Sequence, residues 1–156
     1  MKAAIKILPL ATEDLEAVME ISKNTPEFNI GSEAPQFYGL KSLATWVDDP
    51  KSVSFVAKDG DKVVGFLLGQ VILGRDGMIN MSVVDKTYRG QGIATQLQKL
   101  AETKFAEKGC NRIWSTVETD NEPMLKLKKK LGFSWGRQTF KIIDKMIEPT
   151  GDFKPE

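Results

Sequence analysis

The spacing of apolar and polar positions changes period along the chain. Residues 4–8, 52–57, 62–73 and 78–84 are short apolar stretches, a pattern typical of β-strands. Turns at Asp59-Gly60 and at residues 74–77 separate the last three stretches, which predicts two consecutive hairpins in an antiparallel meander. Residues 112–117 alternate again and predict a further strand.

Other segments have helical spacing. Apolar residues three and four positions apart predict helices in 12–19 and 37–47, and a long amphipathic helix follows Gly90. A last helix is predicted between a capping Asn121 and Gly132, one or two strands in 133–147, and a polar tail in 150–156. This order predicts an α/β fold in which helices cover both faces of a mixed, mostly antiparallel sheet.

Length and charge narrow the possibilities. The 156 residues predict one domain spanning 1–156 with a core of about 3–147. A net charge of +1 gives no general attraction to nucleic acid or to anionic membranes. The longest apolar stretch, 63–73, is interrupted and is shorter than the roughly 20 residues that span a bilayer. We therefore expect a cytoplasmic protein with no nucleic-acid or membrane partner.

The chain contains no histidine and a single cysteine, Cys110. These two facts exclude Ser-His-Asp and Cys-His nucleophiles, histidine-ligated zinc and an intrachain disulfide. We expect no metal. If the protein is an enzyme, its proton transfers are carried out without imidazole.

A glycine-rich turn lies between the strand 78–84 and the long helix. Gly90 and Gly92 allow positive φ and a close backbone approach to a ligand, and the helix start offers unpaired N–H groups. This arrangement suits a phosphate or pyrophosphate. The spacing matches neither a nucleotide P-loop nor a dinucleotide-binding GxGxxG turn.

The run Arg89-Gly90-Gln91-Gly92-Ile93-Ala94 resembles the Arg/Gln-x-x-Gly-x-Gly/Ala motif of the GNAT superfamily of N-acetyltransferases. A second segment, 121–133, resembles that family's Asn-x-x-Ala-x-x-Leu-Tyr-x-Lys-x-Gly-Phe block. Its matching positions are Asn121, Leu127, Lys130, Gly132 and Phe133. The resemblance implies a GNAT-type sheet with a V-shaped acetyl-CoA cleft between strands 4 and 5.

The resemblance also implies the residues that would hold acetyl-CoA as co-substrate. The backbone of Ser82, Val83 and Val84 would pair with the pantetheine arm. The pyrophosphate would be held by the amides of Gly90, Gln91, Gly92, Ile93, Ala94 and Thr95. Asn121 would lie near the thioester while it caps its helix. Arg89 would either pair with phosphate or remain a solvated turn charge.

The implied chemistry is direct acetyl transfer to an amine of a small molecule or protein. A backbone N–H near Val83 or Val84 would stabilise the oxyanion. Lys128 occupies the position of the family's proton-donating tyrosine. It would either act as a desolvated acid or extend its ammonium group to coenzyme or solvent. Thr116 replaces a glutamate that serves as base in ribosomal-protein acetyltransferases of this fold.

Two other residues could handle protons. We expect Glu118 to lie on the same strand face as Thr116, as a base or as a surface charge. Tyr38 is a candidate for the acceptor pocket and for proton transfer. Two alternatives to an active acetyltransferase stay open: an acetyl-CoA-binding regulatory module with weak or no catalysis, and an acyltransferase for a longer acyl-CoA. A homodimer is possible.

Overall fold

The computed structural model describes residues 4–25, 39–136 and 145. These residues form five strands, four α-helices and two short 3-10 helices. The strands are β1 Ile5–Pro9, β2 Phe55–Asp59, β3 Lys62–Val71, β4 Asp76–Val84 and β5 Arg112–Ser115. The helices are α1 Leu15–Lys23, α2 Leu40–Asp48, α3 Ile93–Glu107 and α4 Glu122–Lys130. None of the described helices is long and apolar enough to cross a membrane.

The strands form one sheet in the order β1-β2-β3-β4-β5. The first four pair antiparallel, and β5 pairs parallel to β4 because α3 carries the chain back across the sheet. The predicted hairpins are confirmed, and Asp59 faces Lys62 across the first of them. The prediction of a mixed, mostly antiparallel sheet is therefore confirmed.

Helices cover both faces of the sheet, as expected. On one face, the apolar side of α3, including Leu97 and Phe105, packs on the inner residues of β2, β3 and β4. On the other face, Val18 of α1 and Leu43 of α2 pack against the opposite side chains of the same strands. The fit on the α3 face is close: a Cβ atom added at Gly77 would lie 2.5 Å from Phe105 Cδ1.

Some predicted boundaries are wrong. β2 begins at Phe55 rather than residue 52, and β4 begins two residues earlier than expected, at Asp76. β5 ends at Ser115, so residues 116–118 are not part of the strand. Residues 133–136, expected to begin a strand, have no regular structure. The rest of the predicted strand segment, apart from Lys145, and the polar tail 150–156 lie outside the described residues.

Candidate functional site: an open strand edge and a glycine turn

β4 contains a bulge at its middle. Gly69 of β3 faces Ile79, whereas the neighbouring Leu68 faces Met81, so Asn80 is the extra residue. On the other side of β4, pairing with β5 runs from Asp76 opposite Arg112 to Ile79 opposite Ser115. Among the described residues, β4 therefore has no strand partner on this edge from Asn80 to Val84. This is the V-shaped opening between strands 4 and 5 that the resemblance implied.

The hydrogen-bond phase of β4 determines which backbone groups face the opening. The N–H of Asp85 donates to the Val64 carbonyl at 2.9 Å, which fixes residue 85 as bonded towards β3. Because backbone direction alternates along a strand, Val83 also points to β3, while Ser82 and Val84 point to the open edge. In this register the N–H and carbonyl of Val83 are directed to β3, and pairing of a pantetheine arm with this stretch of β4 stays a prediction.

The glycine turn after β4 is shaped as an anion site. Gly90 and Gly92 have φ of 74° and 81°, and a Cβ added at either would meet no atom within 4 Å. The N–H groups of residues 90–95 have no acceptor among the described residues, and the first helical bond of α3 joins the Gln96 N–H to the Gly92 carbonyl at 3.0 Å. Unpaired N–H groups with the positive end of the α3 dipole favour bound negative charge.

The turn is fastened to the sheet on both sides. The Tyr88 hydroxyl donates to Asp59 Oδ2 at 2.9 Å, and Asp85 Oδ1 accepts from the Thr87 N–H at the same distance. Arg89 donates from Nε to the Val84 carbonyl at 3.0 Å. The Arg89 side chain therefore braces the turn against the end of β4, which neither sequence alternative for this residue included. A contact between Arg89 and phosphate stays a prediction.

Asn121 caps α4 as predicted. Its Oδ1 accepts from the Met124 N–H at 3.3 Å, and its carbonyl accepts from the Leu125 N–H at 3.0 Å. The cap fixes the start of the helix that carries Lys128. A position of Asn121 beside the thioester stays a prediction.

Lys128 does not extend its ammonium group to solvent. The residue is 2% exposed, Nζ donates to Gln98 Oε1 of α3 at 2.9 Å, and Nζ lies 4.6 Å from the centre of the Phe133 ring. Burial lowers the pKa of Lys128 to about 8, against a smaller opposing effect of Glu102. The expectation that Lys128 reaches solvent is wrong, because the side chain lies in the α3–α4 interface, and a contact with coenzyme stays a prediction.

Gln98 is a residue that sequence reasoning missed. It is fully buried, and its Nε2 lies 3.8 Å from Met124 Sδ while its Oε1 accepts from Lys128. A signal was present in the sequence, since Gln98 is four residues after Ala94 and seven before Phe105, within the inner stripe of the helix. A polar residue at such a position requires a buried partner.

Glu118 and Tyr38 are the two other candidates for proton transfer. Glu118 is exposed and follows the end of β5 in an irregular segment, so it does not share a strand face with Thr116 as expected. Its carbonyl accepts from the Asn121 N–H at 3.0 Å. Tyr38 lies outside the described residues. The described part of the chain contains no group of three or more Cys, Asp or Glu residues that could hold a metal.

Together, the splayed strands and the unpaired amides at the start of α3 form an open strand edge that continues into an anion-binding turn. Residues 15–133 match the model of the Acetyltransferase (GNAT) family. Because this match covers well over half of the 156 residues, the chain belongs to the GNAT acetyltransferase family.

Curated relatives share part of their length with this chain. It is 36% identical over 84 residues to N-alpha-acetyltransferase 30 of Schizosaccharomyces pombe, a match of 51% of this chain and 56% of the relative. It is 29% identical over 108 residues to N-alpha-acetyltransferase 30 of Xenopus laevis, covering 67% of this chain and 40% of the relative. The chain thus spans about half the length of these relatives.

Solved structures confirm the fold. The paia N-acetyltransferase of Thermoplasma acidophilum, in complex with coenzyme A, superposes with a TM-score of 0.78 at 19% identity, over 87% of this chain and 93% of that one. The ribosomal-protein-S18-alanine N-acetyltransferase of Escherichia coli gives a TM-score of 0.68 at 23% identity, over 84% and 78% of the two chains.

Proposed function

We propose that this protein is an acetyl-CoA-dependent N-acetyltransferase that acts on an amine. The observation that carries the proposal is the continuity of the open β4 edge with the glycine turn. Ser82 and Val84 offer backbone groups to an extended pantetheine arm, and the N–H groups at the start of α3 lie next along the chain for a pyrophosphate. The cradle is open, since no atom lies within 4 Å of a Cβ built at Gly90 or Gly92.

The residues of this chain would promote the reaction mainly by holding the reacting groups in position. Bound acetyl-CoA supplies an activated thioester carbonyl that a neutral amine attacks. The register of β4 leaves the Val84 N–H directed to the open edge, so it is the better candidate than Val83 to stabilise the developing oxyanion. The Val84 carbonyl accepts from Arg89, which holds this part of the strand in place.

Glu118 and Lys128 are the described candidates for proton transfer. Glu118 is proposed as the base, directly or through water, because it is an exposed acidic residue that follows β5, the strand whose separation from β4 forms the opening. Lys128 has the lowered pKa, about 8, that an acid working near neutral pH needs. One of its three N–H groups donates to Gln98, however, and the residue is 2% exposed between α3 and α4. We therefore assign Lys128 to the helix interface.

The acceptor we propose first is the α-amino group of a polypeptide. The curated relatives at 29–36% identity are N-alpha-acetyltransferases, and this supports a protein N-terminus over a small amine. A small-molecule amine is the second candidate. A cytoplasmic location, a homodimer and the absence of nucleic-acid and membrane partners stay predictions from the sequence, as does the part that Tyr38 plays.

A coupled experiment tests the proposal. Purified protein is mixed with acetyl-CoA and with peptides of varied first residues, each with a free or a blocked α-amine, and with small polyamines and aminosugars. Release of free thiol together with mass spectrometry of the product should show acetylation of free α-amines only. Acetyl-CoA binding without turnover on any amine would instead support a regulatory module. Preference for longer acyl chains in binding and turnover would support an acyltransferase for a longer acyl-CoA.

A further inference from the structure

Two polar side-chain atoms on β4 are buried without a partner. Within residues 4–25, 39–136 and 145, Asn80 Oδ1 and Ser82 Oγ are the side-chain atoms that are buried and make no hydrogen bond. Buried polar atoms nearly always have a partner, because leaving one unpaired is costly. Two such atoms within three residues of one strand make this stretch of β4 a candidate site for a ligand.

Both atoms belong to the stretch of β4 that borders the cleft. Asn80 is the bulge residue, one position beyond the last pair between β4 and β5, Ile79 opposite Ser115. The bulge reverses the alternation of the strand, because Ile79 packs in the α3 cluster whereas Met81 packs in the cluster of α1 and α2. Ser82 alternates with Val83 and therefore directs its hydroxyl to the α3 face.

The chemistry of these atoms defines the group they would bind. An amide oxygen accepts hydrogen bonds only, and a hydroxyl both donates and accepts. A ligand N–H group satisfies Asn80 Oδ1, and the Ser82 hydroxyl can accept from the same ligand. Both groups are uncharged, so they can hold a neutral amine without favouring its ammonium form as a carboxylate would.

We propose that Asn80 Oδ1 and Ser82 Oγ form a polar subsite that hydrogen-bonds an N–H donor of the ligands meeting at the β4 bulge. This inference rests on the proposed function. The donor is an amide N–H of the thioester arm or the amine of the acceptor. In either case Asn80 and Ser82 determine substrate affinity through their side chains, in addition to the backbone groups of β4.

Three variants test the subsite. Ser82→Ala and Asn80→Leu each remove one unpaired atom and should weaken ligand binding by about tenfold, the effect of one buried hydrogen bond. Asn80→Asp keeps an oxygen at the same place and should hold acetyl-CoA affinity within about threefold of wild type. Its charge would favour the ammonium form of an amine, so this variant is compared in acetyl-CoA binding only. Calorimetry with acetyl-CoA alone measures whether the subsite binds the thioester arm. The KM for the acceptor at saturating acetyl-CoA measures whether the subsite binds the amine.

Thermal unfolding of the ligand-free variants separates this role from a structural one. Ser82→Ala should not lower Tm, because it removes a polar atom that has no partner. The matched control is Ser54→Ala. The buried Ser54 Oγ accepts from Ser52 Oγ at 2.9 Å, so this change should lower Tm and leave both affinities unaltered.

The outcomes are distinct. Unchanged acetyl-CoA affinity and unchanged acceptor KM in both Ser82→Ala and Asn80→Leu would overturn the subsite. So would a loss of Tm in Ser82→Ala equal to that of Ser54→Ala, since the hydroxyl would then have a protein partner. A wild-type protein that neither binds acetyl-CoA nor acetylates any amine defeats the proposed function before any variant is compared, and the subsite falls with it.

Discussion

Lys128 Nζ donates a hydrogen bond to Gln98 Oε1 at 2.9 Å and so ties α4 to α3 across 30 positions of sequence. Neither residue is accessible: Gln98 is 0% exposed and Lys128 is 2% exposed. The two helices begin at the two sequence motifs of the site, the glycine turn and the Asn121 cap. This one contact therefore helps to fix the position of the Asn121 cap relative to the glycine turn.

The burial of Lys128 should make stability depend on pH. Its pKa falls from 10.5 to about 8 on folding, so the protonated side chain destabilises the folded state at and below about pH 8. The penalty should be relieved as pH rises from about 8 towards 10.5. Relative to Lys128→Met, the unfolding free energy of wild type should increase by about 2–3 kcal/mol between pH 7 and pH 10. Urea unfolding at several pH values measures it, and parallel pH curves for the two proteins would contradict the lowered pKa.

Replacing Gln98 tests the contact from the other side. Gln98→Leu leaves the Lys128 ammonium group buried without an acceptor, and should cost about 1–3 kcal/mol of unfolding free energy at neutral pH. Gln96→Leu is the control, because Gln96 lies on the same helix and is exposed. The double variant with Lys128→Met should lose less than the sum of the single changes. Strict additivity would show that the two side chains do not interact.

Turnover should depend little on Lys128. If the lysine serves the helix interface, Lys128→Met should reduce kcat by less than about tenfold, below the usual contribution of a general acid. Steady-state kinetics at saturating acetyl-CoA provides the measurement. A loss of about a thousandfold with unchanged acetyl-CoA affinity would instead identify Lys128 as the proton donor.

Gly92 should be essential for coenzyme binding. Gly92→Glu places a side chain and a negative charge where unpaired N–H groups favour an anion, so acetyl-CoA affinity should fall by at least about a hundredfold. Gly74→Glu is matched, since Gly74 also has positive φ, 75°, and open space around its Cβ position. Both changes should cost about 1–2 kcal/mol of stability from the left-handed backbone. Equal acetyl-CoA affinities of the two variants by calorimetry would show that the glycine turn does not bind the coenzyme.

Glu118 is the proposed base, and Glu118→Gln should lower kcat by about a hundredfold or more while acetyl-CoA affinity stays unchanged. The control is Glu122→Gln, a nearby exposed carboxylate whose contact with Lys126 is a loose 3.9 Å. If both variants turn over at the wild-type rate, Glu118 is a surface charge, and the base is another group or a water chain.

The local sequence determined the elements and the position of the turn. Three patterns are short-range properties, because strand and helix periods are set by the backbone itself: the apolar run of β3, the alternation of β4, and the helical spacing of α3. Gly90 and Gly92 mark the turn before α3 in the same local way. Which residues distant in the chain contribute to the same site was predictable only through the family resemblance. The absence of histidine from the chain likewise limited the available proton chemistry before any fold was known.

Only the tertiary structure decided which groups face the cleft. The bulge at Asn80 sets the register of β4. The backbone N–H and carbonyl groups of Ser82 and Val84, rather than those of Val83, therefore point to the open edge. The extra residue also moves every later side chain of the strand to the opposite face of the sheet. The pairing of β5 with β4 decides where that strand ends, at Ser115, and so removes Glu118 from it. The burial of Lys128 likewise depends on a partner 30 positions away, because desolvation depends on neighbours in space and not on neighbours in sequence.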